Sequence, residues 1–380
     1  MVIIFLIIAL LLILCDSYIL FGVLSANSFW TKLLVGLPSL AYLVVEVYVI
    51  LAKDSGQRIL NILFWLTLCI VIPTLLFTVI SLIGKVIGLA FPQIVNLTNY
   101  LALTISFVWI GISLYGILFG WKRTTVESVS ITSAKIPESF EGYKIVQLSD
   151  FHIGTYADSP ESVERIVDRV NSLNPDLIVF TGDLVNSASE EIEKFVGVLS
   201  RLRAKDGIYS VLGNHDYCLY RQYSGEDTPA KQLTQVIALE RQMGWRILRN
   251  ESVQIVRGND SISLLGVDNA GSRMFPDKSD LGKAMKGISE TEFKILLSHD
   301  PSHWRREVLP KSNIDLMLAG HTHAMQFKIG NWSPSAWVYP EWGGMYEEEG
   351  RKLYVSTGIG ENIAFRFGAW PQIVEITLNH

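Results

Sequence analysis

Up to residue 123 the hydrophobic positions of this chain run almost without interruption. Beyond it they break into short apolar runs separated by polar stretches of helical period. Four apolar stretches in the first part, 2–24, 33–52, 59–84 and 100–121, each reach the roughly 20 residues that a bilayer-crossing helix needs. The first competes with a secretory leader, but three more stretches follow it and no basic run precedes it, so it reads as a span. Pro38 and Pro73 fall within spans, where proline kinks helices. Asp16 and Glu46 put carboxyl groups at membrane depth, which flags a functional site by default, the plainer reading being that they face a neighbouring helix or lie near a span end.

From Thr124 the pattern changes. The connector 124–140 is largely polar, with Val126, Val129 and Ile131 alternating as an opening strand does. A strand is expected at 143–148. A helix follows from the cap Ser159 and Pro160 to about Leu173, with Val163, Ile166, Val167 and Val170 on one face. Next come a strand at 176–180, a helix at 189–203, a strand at 207–212 and a helix at 228–243 capped by Thr228. Later segments read mostly as strands: 245–248, 253–256, 261–267, 294–298, 314–319, 325–329, 353–356 and 373–377. The expected fold is an α-helical membrane region of about four transmembrane helices (1–123), a connector (124–140) and an α/β domain (141–380). Alternating elements followed by strands imply layered sheets flanked by helices in that domain.

Charge sharpens this division. Only nine of the 69 Asp, Glu, Lys and Arg residues fall up to Arg123. The net charge of −5 excludes the basic stripe of a nucleic-acid binder. With four spans, Lys53, Arg58, Lys122 and Arg123 flank one side and Lys32 and Lys85 the other, which places the α/β domain in the cytoplasm. Cys15, Cys69 and Cys218 are scattered and odd in number, so they form neither a disulfide framework nor a thiolate zinc site.

The chemistry sits at the ends of the expected strands. Asp150 and His152 follow 143–148, Asp183 follows 176–180, and Asn214, His215 and Asp216 follow 207–212. His299 follows 294–298, and His321 and His323 follow 314–319. Open α/β sheets bind ligands beyond the carboxyl ends of their strands. Imidazoles mixed with Asp and Asn oxygens suit Mn, Fe, Zn or Mg. Asp150, His152, Asp183, Asn214, His299, His321 and His323 are seven donors, more than one ion with an open position needs, and two ions sharing one carboxylate fit the count. Gly182, Gly213 and Gly320 allow the tight turns that aim these side chains.

Ser-Asp-Phe-His at 149–152, Gly-Asp at 182–183, Gly-Asn-His-Asp at 213–216, Ser-His-Asp at 298–300 and Gly-His-Thr-His at 320–323 resemble, in this order, the motifs of the calcineurin-like metallophosphoesterases. The resemblance covers residues 143–378 and narrows to the membrane-anchored branch of that family. It implies that Asp150, His152, Asp183 and His323 hold one divalent ion and that Asp183, Asn214, His299 and His321 hold the other, Asp183 bridging. It further implies that His215 contacts phosphate and protonates the leaving oxygen, with Asp216 orienting its ring. Gly358, Gly360 and Arg366 resemble the family's closing glycine-rich stretch, although Ala364 stands where many relatives have proline. Arg366 would pair with a phosphate or with a carboxylate of the domain.

The function implied is a membrane-bound phosphohydrolase acting on a phosphoester or pyrophosphate. Some members of the wider family cleave lipid-precursor pyrophosphates, such as the UDP-diacylglucosamine hydrolases, and others act on small phosphodiesters. The expected partners are a phosphate-containing, lipid-linked substrate and membrane lipids, with no nucleic acid. Trp332, Trp337, Tyr339, Trp342 and Tyr346 suit either a lid or lipid-facing loop near the metals or a packed surface loop. A catalytically silent phosphate sensor on the same fold is the alternative, and a transporter built on the four spans is a third reading.

Overall fold

The computed structural model describes residues 2–52, 56–157, 159–271 and 275–380. They form two compact units, Met1–Phe119 with Ile363–Phe365, and Gly120–Asn362 with Arg366–His380.

In the first unit, Ile3–Val23, Phe29–Leu51, Arg58–Gly88 and Ile94–Lys122 are long and apolar enough to cross a membrane. Lys53, one of the charges used for orientation, lies outside the described residues. Ser28 caps the second span, its Oγ accepting from the Thr31 N–H at 3.3 Å. A π-helical turn, Thr67–Val71, leads directly into the segment that carries Pro73 near its start. There the missing proline N–H falls where the hydrogen-bond ladder already changes register. Glu46 is buried, and Tyr42 Oη donates to its Oε1 at 3.3 Å.

The second unit carries the strands β1 (Thr125–Thr132), β2 (Tyr143–Leu148), β3 (Leu177–Phe180), β4 (Ile208–Ser210), β5 (Arg246–Ile247) and β6 (Glu251–Arg257). They are followed by β7 (Asp260–Gly266), β8 (Lys294–Leu297), β9 (Leu316–Ala319), β10 (Gly344–Glu348), β11 (Arg351–Val355) and β12 (Gln372–Asn379). They build two six-stranded sheets, ordered β1-β12-β2-β3-β4-β5 and β10-β11-β9-β8-β7-β6.

The alternation of side chains along each strand explains the layers. Ile145, Leu177, Val179 and Val374 from one sheet share a buried cluster with Leu264, Ile295, Leu316 and Leu318 from the other, which is the sandwich core. Their neighbours Val146, Leu148, Ile178 and Phe180 point the opposite way. They pack on Val163, Ile166, Val167 and Val170 of the helix Pro160–Ser172. On the far side Leu265, Leu296 and Met317 pack on Leu281, Trp304 and Val308. Burying one such side chain stabilises by about 1.5–3 kcal/mol, so the register of these short strands is set by which face each residue covers.

Three local expectations change. Residues 189–203 form two short helices, Glu190–Glu193 and Val196–Leu199, rather than one. Residues 325–329 do not form a strand: the chain there turns through Ala324, Met325 and Gln326, all at positive φ. Ser159 makes no cap bond, because its Oγ is engaged by Glu161 and Ser162. Thr228 does cap its helix, accepting from the Lys231 N–H at 3.3 Å.

Candidate metal centre

In one sheet β2, β3 and β4 run parallel as neighbours, and in the other so do β8 and β9. Parallel strands end on the same side, so the loops after them converge. Three groups of side chains meet there: Asp150, His152 and His323; His152, Asp183 and His215; and Asp183, His299 and His321. Asp183 belongs to two of them. Its Oδ2 lies 3.1 Å from His299 Nε2 and 3.7 Å from His152 Nε2. Asn214 joins the third group, with Oδ1 3.2 Å from His299 Nε2 and Nδ2 donating to Tyr220 Oη at 2.8 Å.

The backbone is strained where these residues sit. Asp150, His152, Asp183, His321 and His323 all have positive φ, between 43° and 73°. Such a conformation costs a non-glycine residue about 1–2 kcal/mol. It persists because the loops hold one another: His321 N–H donates to Asp150 Oδ1 at 2.9 Å, and His215 N–H to Asp183 Oδ1 at 2.8 Å. Gly182 needs its positive φ of 95°. Gly320 is required for a different reason, since a Cβ there would lie 2.1 Å from Asp150 Oδ2.

The imidazoles are aimed from behind. His152 Nδ1 lies 3.2 Å from Val185 O, His299 Nδ1 2.8 Å from Thr181 O, and His215 Nδ1 2.5 Å from Asn186 O. A carbonyl accepts only, so each of these nitrogens carries a proton and turns Nε2 inward. His321 is reversed: Nδ1 faces His299 Nε2 at 3.2 Å and Nε2 faces Tyr339 Oη at 2.8 Å. His323 Nε2 lies 3.1 Å from His152 Nε2 and 3.3 Å from Asp150 Oδ1, while Arg366 Nη2 stands 3.1 Å from its Nδ1.

Burial lowers the pKa of His152 to about 3 and of His321 to about 4, and pushes His323 well below the ordinary value. For His299 burial works in the same direction but is outweighed by the Asp183 and Asp150 carboxylates, which raise it to about 10. Asp183 is held well below the usual carboxylate range, the His299 and His215 charges outweighing its own burial. Imidazoles and buried carboxylates converging on common points, with no thiolate among them, are the donor set of divalent cations. The residues present therefore fit such ions.

The place expected for Asp216 needs correction. Its carboxylate accepts from the backbone N–H groups of Gly213, Asp183 and Leu184, each at 2.8 Å, and of Val185 at 3.3 Å. It does not orient His215: successive residues in the turn His215–Tyr217 point their side chains apart, and the His215 ring is held by Asn186 O and by Asn362 Nδ2, 3.3 Å from its Nε2. Arg366 takes the carboxylate option, Nε donating to buried Glu361 at 2.6 Å. Sequence reading missed Asn186, Tyr220, Asn362 and Tyr339. Asn362 stands two residues after Gly360 in the closing stretch, a usable cue. Asn186 meets His215 through its carbonyl, which any residue supplies, while its Nδ2 donates to Asn362 Oδ1 at 3.1 Å.

The family described as calcineurin-like phosphoesterase matches residues 143–325. An uncharacterized metallophosphoesterase of Aquifex aeolicus is 30% identical over 262 residues, 67% of this chain and 91% of that protein. The chain is a calcineurin-like phosphoesterase. A transmembrane protein with metallophosphoesterase domain from Danio rerio is 31% identical over 287 residues, 73% of this chain and 62% of that protein. The UDP-2,3-diacylglucosamine pyrophosphatase LpxG of Chlamydia muridarum is 26% identical over 294 residues, 63% of this chain and 85% of that protein. The phosphoesterase described here spans about three-fifths of the length of the transmembrane relatives it matches. The resemblance read from its five motifs holds, and so does the combination of apolar helices with an α/β unit of this family.

Proposed function

We propose that this phosphoesterase is a membrane-anchored hydrolase with two divalent metal ions, acting on a phosphoester or pyrophosphate of a lipid or lipid precursor. The observation that carries the reading is Asp183, whose carboxylate is shared by two convergent groups of histidines. Asp150, His152, Asp183 and His323 would hold one ion, and Asp183, Asn214, His299 and His321 the other. When bound, the ions supply Lewis acidity at the phosphate. His215 is half-buried, with its Nδ1 proton committed to Asn186 O, which leaves Nε2 to carry a proton to the leaving oxygen. Asn362 Nδ2, beside that nitrogen, would hold a phosphate oxygen. The four apolar helices and the lipid-precursor pyrophosphatase among the relatives support a lipid-linked substrate. The Lys/Arg asymmetry around the spans supports a cytoplasmic site.

The test is hydrolysis of a chromogenic phosphodiester by the purified chain in detergent with Mn²⁺. Wild type should be active, and Asp183→Asn and His215→Ala should lose at least about 100-fold, the low end of a general-acid contribution. An inactive wild type, or full activity in either variant, would refute the reading. Incubation with a membrane lipid extract, read by phosphorus NMR, separates a lipid-linked substrate from a soluble one.

A further inference from the structure

His152, His215 and His299 are each oriented by a backbone carbonyl, which no substitution removes. His323 is backed by the Arg366 side chain instead, and His321 differs from all of these. The nitrogen turned toward His299 and Asp183 is Nδ1, and the rear nitrogen, Nε2, meets a side chain, Tyr339 Oη, at 2.8 Å. The ring is also held edge-on by Phe275 at 4.9 Å and by Tyr339 itself at 5.5 Å between centroids.

The segment that brings Tyr339 is anchored independently. Ser333 Oγ donates to Ala324 O at 2.6 Å, Thr322 Oγ1 to Trp342 O at 2.5 Å, and Tyr339 N–H to Ser335 O at 2.9 Å. Buried Glu341 accepts from Arg305 Nε at 2.6 Å. Two of these bonds start from Thr322 and Ala324, on either side of His323, so the segment is tied to the same loop whose histidine it faces.

We propose that Tyr339 is a positioning residue for the second cation. It accepts the Nε2 proton of His321 and thereby selects the tautomer whose Nδ1 lone pair points at the centre. This rests on the two-metal reading of the site. An isolated neutral imidazole prefers to carry its proton on Nε2 only slightly, and solvent or a rotated ring would place it on Nδ1, where it blocks a cation. Partners behind a metal-binding histidine are worth about 10–100-fold in metal affinity. The hydroxyl of Tyr339 supplies what the carbonyls of Thr181 and Val185 supply for His299 and His152.

The experiment uses the full chain in detergent, stripped with EDTA and titrated with MnCl₂ while free Mn²⁺ is followed by electron paramagnetic resonance. Wild type should take up two Mn²⁺. Tyr339→Phe should keep one site unchanged and lose about 10–100-fold in affinity at the other. In protein labelled with ¹⁵N-histidine, the His321 nitrogens of the metal-free variant should shift toward a mixture of tautomers. Trp337→Ala, two residues away and 77% exposed, should change neither readout. Two sites of wild-type affinity in Tyr339→Phe, or loss at both sites together, would overturn the proposal as a matter of packing alone. A wild type that takes up no Mn²⁺ would overturn the two-metal reading with it.

Discussion

Removing the Asp216 carboxylate should unfold the domain before it disables the chemistry. In Asp216→Ala, four backbone N–H groups of the loops after β3 and β4 lose their acceptor inside a site that excludes water. An orphaned buried donor costs about 1–3 kcal/mol, so four cost at least about 4 and up to about 12 kcal/mol. Against this stands the relief of a buried charge. Burial and the neighbouring Asp183 carboxylate raise the Asp216 pKa to about 6, and that shift of about two units is worth about 3 kcal/mol. The lower end nearly cancels, but the donors at 2.8 Å are short enough for the middle of the range, leaving a net loss of about 4 kcal/mol. For a domain of this size that lowers the melting temperature by about 10 °C. The assay is thermal unfolding of the metal-stripped chain by near-ultraviolet circular dichroism, with activity measured well below the transition. His215→Ala is the comparison: it should lose activity while melting within about 3 °C of wild type, because it leaves all four N–H bonds in place. An Asp216→Ala protein that melts like wild type but loses activity as His215→Ala does would refute the reasoning and restore Asp216 as the partner of His215.

Gly320→Ala should weaken Mn²⁺ binding at least about tenfold with little change in expression, because the added methyl would stand 2.1 Å from Asp150 Oδ2 and must displace it; a titration checks this. Glu240 is buried against Ser210, with its Oε1 unpartnered, and burial together with the Asp216 charge raises its pKa to about 8. A carboxyl raised in the folded state destabilises as pH rises from its unfolded value toward 8, by up to about 5 kcal/mol in all. Glu240→Gln should therefore melt increasingly above wild type between pH 5 and pH 9, and a constant difference across about that range would contradict the shift. Chelation should lower the melting temperature, and Mn²⁺ at about 100 times its dissociation constant should restore about 2.7 kcal/mol, visible as a concentration-dependent transition.

Much of this protein is legible from residue order alone, and for a definable reason. Membrane spans are long-range averages of hydrophobicity, so the four apolar helices needed no tertiary information. The strands ending at Leu148, Phe180, Leu297 and Ala319 are short apolar runs bounded by Gly, Asp and His, and their ligand-type residues come in ordered local motifs. Hydropathy and motif spacing also assigned these residues to the carboxyl ends of strands, since period and turn residues are local properties. Where local signals conflict with the demands of a neighbouring loop, sequence reading failed. Residues 325–329 look like a strand but turn through three left-handed residues to follow the loop at His323.

Only the folded chain decided how the motifs are joined. Asp216 is adjacent to His215 in sequence, and the family resemblance implies that it orients that ring, yet a turn sends adjacent side chains apart. Its carboxylate instead clamps amides contributed by residues about thirty positions earlier. Asn362 reaches His215 across 147 residues, and Tyr339 reaches His321 from a segment whose aromatic composition suggested a lid or a packed loop but no histidine partner. Sequence determined which chemical groups this phosphoesterase carries and at which strand ends. Tertiary structure decided which nitrogen of each histidine faces inward and what holds it there, because those partners are backbone carbonyls and distant hydroxyls that leave no mark in the order of residues.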